Sequence, residues 1–456
     1  MYSKNAWEKY NEKDVKKVMT FNEGYKKFIS DCKTERECVK YAEKLAKDKG
    51  FKNINEFNKL QAGDKVYAIN KGKNIACFII GKESIENGIN ILGAHIDSPR
   101  IDLKQNALYE KDGFALADTH YYGGIKKYQW IARPLAIHGV VCKKDGSIID
   151  VVIGEDDNDP IVYITDLLIH LSQEQLTKSG AKVIEGEDLD VTLAAIPDKD
   201  SEKDKVKNAL LKLLKDKYDI DEEDFVSSEF EIVPAGIARD LGLDKSMVMG
   251  YGHDDRVCAY TSLMAILDTE NVARTSCAIL VDKEEIGSVG ATGAQSKWFE
   301  NTIAEIINKM TNYNDLILRH TITNSYMLSS DVSAGYDPLY TSAFERKNSA
   351  FLGNGITFNK YTGSRGKSGC NDAMPEYIAK IRKIMDDNNI NFQTAELGKV
   401  DLGGGGTIAY ILGNYNMNVI DAGIPVLSMH APSEVVSKAD VYEAYNAYKA
   451  FIKEIK

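Results

Sequence analysis

Apolar and polar positions alternate along the chain with periods that change from segment to segment. Val39, Ala42, Leu45 and Ala46 share one helical face, Thr34 and Glu37 have the spacing of a capping box, and Gly50 marks the stop, which predicts an early helix. VYAI and IACFII flank the turn NKGKN and predict a β-hairpin. INILGA is a short apolar strand that runs straight into His95. Later, CAILV ends at Asp282-Lys283-Glu284-Glu285, SYML leads through Ser329 and Ser330 to Asp331, and IPVLSM ends at His430. A final helix is predicted with Ser437 as cap and Asp440 at N3, burying Val441, Tyr445, Tyr448, Phe451 and Ile452. Short apolar strands separated by helices predict an α/β sheet packed between helices.

From about Asp102 to Arg239 the pattern differs. Strand-like runs such as WIARPLAIHG and GSIIDVVIG precede very polar, helix-prone stretches, and no cluster of metal-ligand residues occurs. Because the strand-then-helix alternation resumes afterwards, this stretch reads as a second domain inserted into the first. The expected division is 1–103 and 240–456 for the main domain and 104–239 for the insert.

Composition narrows the function. The 456 residues suffice for two domains and a large core. A net charge of -11 repels phosphate backbones and speaks against nucleic acid. The start, MYSKNAWEKYNEKDVKK, lacks the apolar region of a signal peptide, and no apolar run approaches the roughly 20 residues of a membrane span. The seven scattered cysteines include no CxxC pair, which argues against a thiolate zinc site and for a reducing, cytoplasmic compartment. Gly366-Lys367-Ser368 imitates the end of a P-loop, but the glycine needed five residues earlier is Tyr361, so nucleotide binding is rejected. Gly403 to Gly406, ahead of Thr407, reads equally as a tight turn or as a loop opening a helix with N–H groups for an anion.

Polar residues gather where the predicted strands end, the place where open α/β sheets bind ligands. His95, Glu284, Glu285, Asp331 and His430 all follow strands, and Asp254 lies in a polar turn before a helix. Two histidines with several carboxylates form a mixed N/O set suited to zinc, manganese or cobalt. In His95-Ile96-Asp97 the outer side chains share a face, so Asp97 is placed to accept from the second ring nitrogen of His95. An isolated HxD is more often a solvated turn. In His253-Asp254-Asp255-Arg256 two adjacent acids repel unless a cation lies between them, although early acids also suit a helix dipole. Glu284-Glu285 closes an apolar strand, and burying both is costly unless a cation compensates. Asp331 and His430 are weak signals singly; the joint occurrence carries the argument.

GAHIDSPR, GHDDR, DKEEIGS, SSDVSAGYDP and SMHAPSE, in this order and over nearly the whole chain, resemble the M18 metalloaminopeptidases. That resemblance implies an α/β fold with a mixed central sheet flanked by helices, the two-zinc exopeptidase fold, and an inserted, mainly-β second domain. It implies two divalent metals, zinc first and manganese or cobalt as alternatives. His95, Asp254 and Asp331 would hold one and Asp254, Glu285 and His430 the other, with Glu284 as general base, Asp97 orienting His95, and a cis peptide between Asp254 and Asp255. The product would be a cytoplasmic aminopeptidase acting on peptides as a homo-oligomer, a tetrahedral dodecamer. His170, in DLLIHLSQE, resembles the family's segment that lends a histidine to a neighbouring subunit. NKYTGSRGK resembles the family's substrate-pocket segment, with Lys360 matching its lysine. Lys367 stands where the aspartyl enzymes have a tyrosine, and Ala334 where they have a histidine, so acidic and neutral N-terminal residues both remain open as substrates. Two other classes compete: a related dinuclear deacylase or glucanase-like hydrolase, separable by assay on N-acyl amino acids, and a non-catalytic assembly protein, separable by metal analysis.

Overall fold

The computed structural model describes residues 4–456. The chain forms two compact units, one ending its first stretch at Asp97 and continuing through Ala238–Met429 and Glu434–Lys456, the other comprising Ser98–Ile237 with His430–Ser433. Arg100–Lys111 is one continuous strand within the second unit, and Arg239–Leu241 belongs to the first.

The first unit is built on a mixed nine-stranded sheet. Asn90–His95 lies parallel to Ser276–Val281 on one side and to Tyr326–Ser329 on the other, and Tyr326–Ser329 is parallel to Asn418–Gly423. The carboxyl ends of these four strands therefore share one end of the sheet. All residues of Asn90–His95 and Ser276–Val281 are buried, the pattern of strands covered on both faces. One face carries the helices Glu12–Asp31, Glu35–Asp48, His253–Leu267, Pro375–Asp387 and Lys438–Glu454. The other carries Trp298–Met310, Asp315–Thr323 and Ala409–Gly413. The hairpin expected around NKGKN joins Lys65–Asn70 to Asn74–Ile79 in antiparallel register. The capping box of Thr34 and Glu37 opens Glu35–Asp48. A smaller five-stranded sheet includes Met247–Gly250 and Glu434–Ser437, paired antiparallel so that Gly250 faces Glu434.

Lys438–Glu454 begins after Ser437 as expected, but without a side-chain cap bond. Asp440 is used otherwise: its carboxylate accepts the backbone N–H groups of Gly353 and Gly355, each at 2.7 Å. Burial pushes its carboxyl up to about 8.

The second unit is a six-stranded antiparallel sheet with the helix Lys205–Tyr218 packed on it through Val206 and Leu210, against Val141, Phe225 and Phe230. None of the seven cysteines forms a disulfide. Among the described residues no helix is long and apolar enough to cross a membrane.

Candidate metal centre

The backbone delivers the chemistry to one end of the central sheet. His95 is the last residue of its strand and is 1% exposed. Its Nδ1 lies 3.0 Å from the main-chain carbonyl of Asp97, which fixes the Nδ1–H tautomer and turns the Nε2 lone pair the other way. Nε2 faces carboxylates: Asp254 Oδ1 at 3.2 Å, Glu284 Oε2 at 3.9 Å and Asp331 Oδ1 at 3.9 Å.

Each partner is positioned locally. Gly252, at φ +76°, turns the chain into His253–Leu267, whose first turn is not helical at Asp254 (φ −79°, ψ 108°). The Asp254–Asp255 peptide is cis. The backbone N–H of Asp254 donates to Glu434 Oε2 at 3.1 Å. Glu284 and Glu285 lie on a single turn, Glu284–Ile286, between Lys283 at φ +70° and Gly287 at φ +97°. Asp331 stands two residues past the end of Tyr326–Ser329, after Ser330.

Asp97 does more than its spacing implied. Its carboxylate lies 3.3 Å from His95 Nδ1, farther than its own main-chain carbonyl. It accepts the backbone N–H groups of Glu284 at 3.1 Å and Glu285 at 3.2 Å. One buried acid thus ties the turn that carries both glutamates to the strand end that carries His95.

The electrostatics are those of crowded acids. Burial, then the charges of Asp255, Glu284 and Asp254, push the Asp331 carboxyl well above the usual carboxylate range, with His95 the opposing influence. Burial opposes a charged His95, but hydrogen bonds to Asp254 and Asp97 and the charges of Asp255 and Asp331 outweigh it and hold the imidazole well above its ordinary value. Three sets of ligand atoms come within 4.8 Å of one another: His95, Glu284 and Asp331; His95, Asp254 and Glu285; Asp254, Asp255 and Asp331. A buried imidazole facing several carboxylates that repel one another is a donor set that a divalent cation fits.

The remaining expected residues are outside these three sets. His430 groups with the second unit, at φ +65°, with Nδ1 2.9 Å from the carbonyl of Gly124. His170 is exposed, on the single turn Ile169–Leu171. Lys360 and Lys367 follow Ile356–Asn359, which runs antiparallel to Asn418–Gly423, and both reach Asp372, at 2.7 and 3.1 Å. Gly403 donates its N–H to the carbonyl of Lys399, closing a turn, and Gly405 donates to the carbonyl of Thr362 in a separate segment.

Three participants went unassigned in the sequence. Asp255 joins the crowded group, and its only signal was adjacency to Asp254. Glu434 stood within SMHAPSE without a role. Tyr25 hydrogen-bonds His253 Nδ1, a pairing 228 residues apart that no local pattern reveals. Burial drives His253 down to about 3, so it stays neutral.

The chain matches a family described as Aminopeptidase I zinc metalloprotease (M18) over residues 28–452. It is 60% identical over 454 residues to a probable M18 family aminopeptidase 1 of Clostridium acetobutylicum, covering 98% of both chains. A probable M18 family aminopeptidase 1 of Borreliella afzelii is 46% identical over 458 residues, covering 100% of both. Among solved structures, an M18 aminopeptidase from Thermotoga maritima superposes with TM-score 0.96 at 41% identity, covering 100% of both chains. Aminopeptidase I from Clostridium acetobutylicum does so with TM-score 0.92 at 56% identity, covering 99% of both.

Proposed function

The chain belongs to the M18 family of zinc metalloaminopeptidases, and on that premise we propose that it removes N-terminal residues from peptides using two metal ions, with Glu284 carrying the proton. The observation that supports this most is His95 Nε2 turned toward Asp254, Glu284 and Asp331 within 3.9 Å. His95, Asp254 and Asp331 would hold one ion and Asp254, Glu285 and His430 the other. In His430, donation from Nδ1 to the Gly124 carbonyl places the ring's lone pair on Nε2, the arrangement usual in metal-binding histidines. When bound, the metals supply Lewis acidity and bring the pKa of water to about 7.

The chain's own residues do the rest. Glu284 is partly exposed, as Glu285 is, its side chain 16% accessible where those of Asp254 and Asp331 are 5% and 9%. An acid that reaches solvent and also neighbours the buried donors suits a group that takes a proton from water and delivers it to the departing amine nitrogen. Asp97 holds the main chain of Glu284, so the base and the ligand beside it move as one turn. Assay of purified protein on free peptides against N-acyl amino acids, with elemental analysis, tests the reading. Two metals per chain and hydrolysis of peptides alone are expected; a folded chain that takes up no metal, or that prefers N-acyl substrates, refutes it.

We also propose that the working enzyme is a homo-oligomer, a tetrahedral dodecamer by family resemblance, in which His170 serves a neighbour's site. The supporting observation is the run Leu167, Leu168, Ile169 and Leu171 around His170, exposed by 46 to 68%. Four large apolar side chains in water at one short segment mark a surface suited to burial against another chain. Mixing His170→Ala with Glu284→Gln subunits should restore activity, and failure despite subunit exchange would refute the assignment.

A further inference from the structure

Two consecutive residues at the start of His253–Leu267 grip two consecutive residues at the end of Asn90–His95. The backbone N–H of His95 donates to Asp255 Oδ2 at 3.2 Å. Arg256 Nε donates to the carbonyl of Ile96 at 3.2 Å. The same guanidinium reaches a third segment, with Nη2 donating to the carbonyl of Lys33 at 2.8 Å, and its plane stands over the Tyr251 ring at 5.2 Å. Asp255 and Arg256 are both 0% exposed.

The placement of these contacts gives them meaning. Asp255 and Arg256 directly follow Asp254, and the peptide groups they hold flank the side chain of His95. The two hydrogen bonds therefore fix the step between the two loops that bring His95 Nε2 to 3.2 Å from Asp254 Oδ1. Two nitrogens of Arg256, Nε and Nη2, donate to main-chain carbonyls of two separate segments. Both groups gripped on the His95 loop belong to the main chain, so its backbone is held whatever rotamers its own side chains adopt.

We propose that Asp255 and Arg256 are positioning residues that clamp the His95 loop to the Asp254 loop, and that Asp255 acts through the main chain of His95 and not as a metal ligand. This rests on the metal-centre reading given above. Partners behind metal ligands typically contribute 10–100-fold in metal affinity without changing stoichiometry. A carboxylate that is itself a ligand would instead take one metal with it.

The experiment titrates chelator-stripped protein with zinc alone, against a chromophoric competitor, alongside thermal melting of the same samples. Asp255→Asn keeps an oxygen for the His95 N–H. It should bind as many zinc ions as the wild type, with affinity weakened less than about tenfold. Asp255→Leu cannot accept that bond and should bind the same number about 10–100-fold more weakly. Arg256→Lys, which cannot reach both Ile96 and Lys33, should fall in the same range and keeps the comparison available if the leucine variant does not fold. Loss of one zinc equivalent in Asp255→Asn would make Asp255 a ligand and overturn the proposal. Wild-type affinity in Asp255→Leu or Arg256→Lys would do the same. A folded wild type that binds no zinc would remove the metal-centre reading, and the proposal with it.

Discussion

At the carboxyl ends of the central strands, His95 meets Asp254, Glu284 and Asp331 within 3.9 Å, and three of these four side chains are below 10% exposed. Beyond Ile356–Asn359, Asp372 meets Lys360 and Lys367 at 2.7 and 3.1 Å, and all three are exposed by 42 to 45%. Both regions crowd charged groups, and the sequence nominated residues from both. They differ in sign balance and in water. The first gathers acids of one sign out of solvent, and burial with mutual repulsion pushes Asp331 up. The second pairs opposite charges in water, and the hydrogen bond from Lys360 leads the effects that pull Asp372 down. Crowding that the protein alone leaves unbalanced calls for a cation; crowding that it balances itself needs nothing further.

The largest test of this contrast is metal removal. Stripping the protein with a chelator should reduce peptide hydrolysis to background and lower the melting temperature, because an ion that binds only the folded chain stabilises it by mass action. Added zinc should restore both, as followed by activity and differential scanning calorimetry. Full activity after verified stripping would break the contrast at its first term.

Next in size, Glu284→Gln should keep its metal by elemental analysis and lose about 10²–10⁴-fold in kcat, the usual worth of a general base. A near-normal kcat would remove Glu284 from proton transfer.

On the balanced side, Lys360→Met should cost less than about 1 kcal/mol in denaturant unfolding, the usual range for an exposed pair. The ratio of kcat/KM for glutamyl and leucyl substrates should change less than about threefold. A tenfold change would place this loop at a substrate after all.

The smallest effect is a pH slope. Asp421 is buried, accepts from Thr407 Oγ1 at 2.6 Å, and burial pushes its carboxyl up to about 7. An unfolded aspartate ionises near pH 4. Between about pH 4 and 7 the folded state therefore holds a proton that the unfolded state has lost, so Asp421 makes stability fall as pH rises. Asp421→Asn should remove that contribution, and its melting temperature relative to the wild type should climb from pH 4 to 7. A constant difference would mean that Asp421 is ionised throughout.

The periodic elements were legible from local pattern: the Glu35–Asp48 helix with its capping box, the hairpin around NKGKN, and the apolar strands ending at His95 and before Glu284. So was the class of the centre, because acids and a histidine repeatedly closing apolar strands require a compensating cation. Asp440 shows where local reasoning stops. Its N3 position suggested a cap, yet it binds Gly353 and Gly355 from another part of the chain.

The sequence by itself determined the residue types of the centre, their order, and their placement after short apolar strands, because burial and periodicity act on neighbours a few residues apart. Only the tertiary structure decided which atoms meet. The Asp97 carboxylate under the amides of Glu284 and Glu285, Glu434 under the amide of Asp254, and Asp255 with Arg256 on the His95 loop join residues 160 or more positions apart. Hydrogen bonds of that reach depend on main-chain direction and depth, which are fixed only when the parallel strands are stacked in register and the helices close over them.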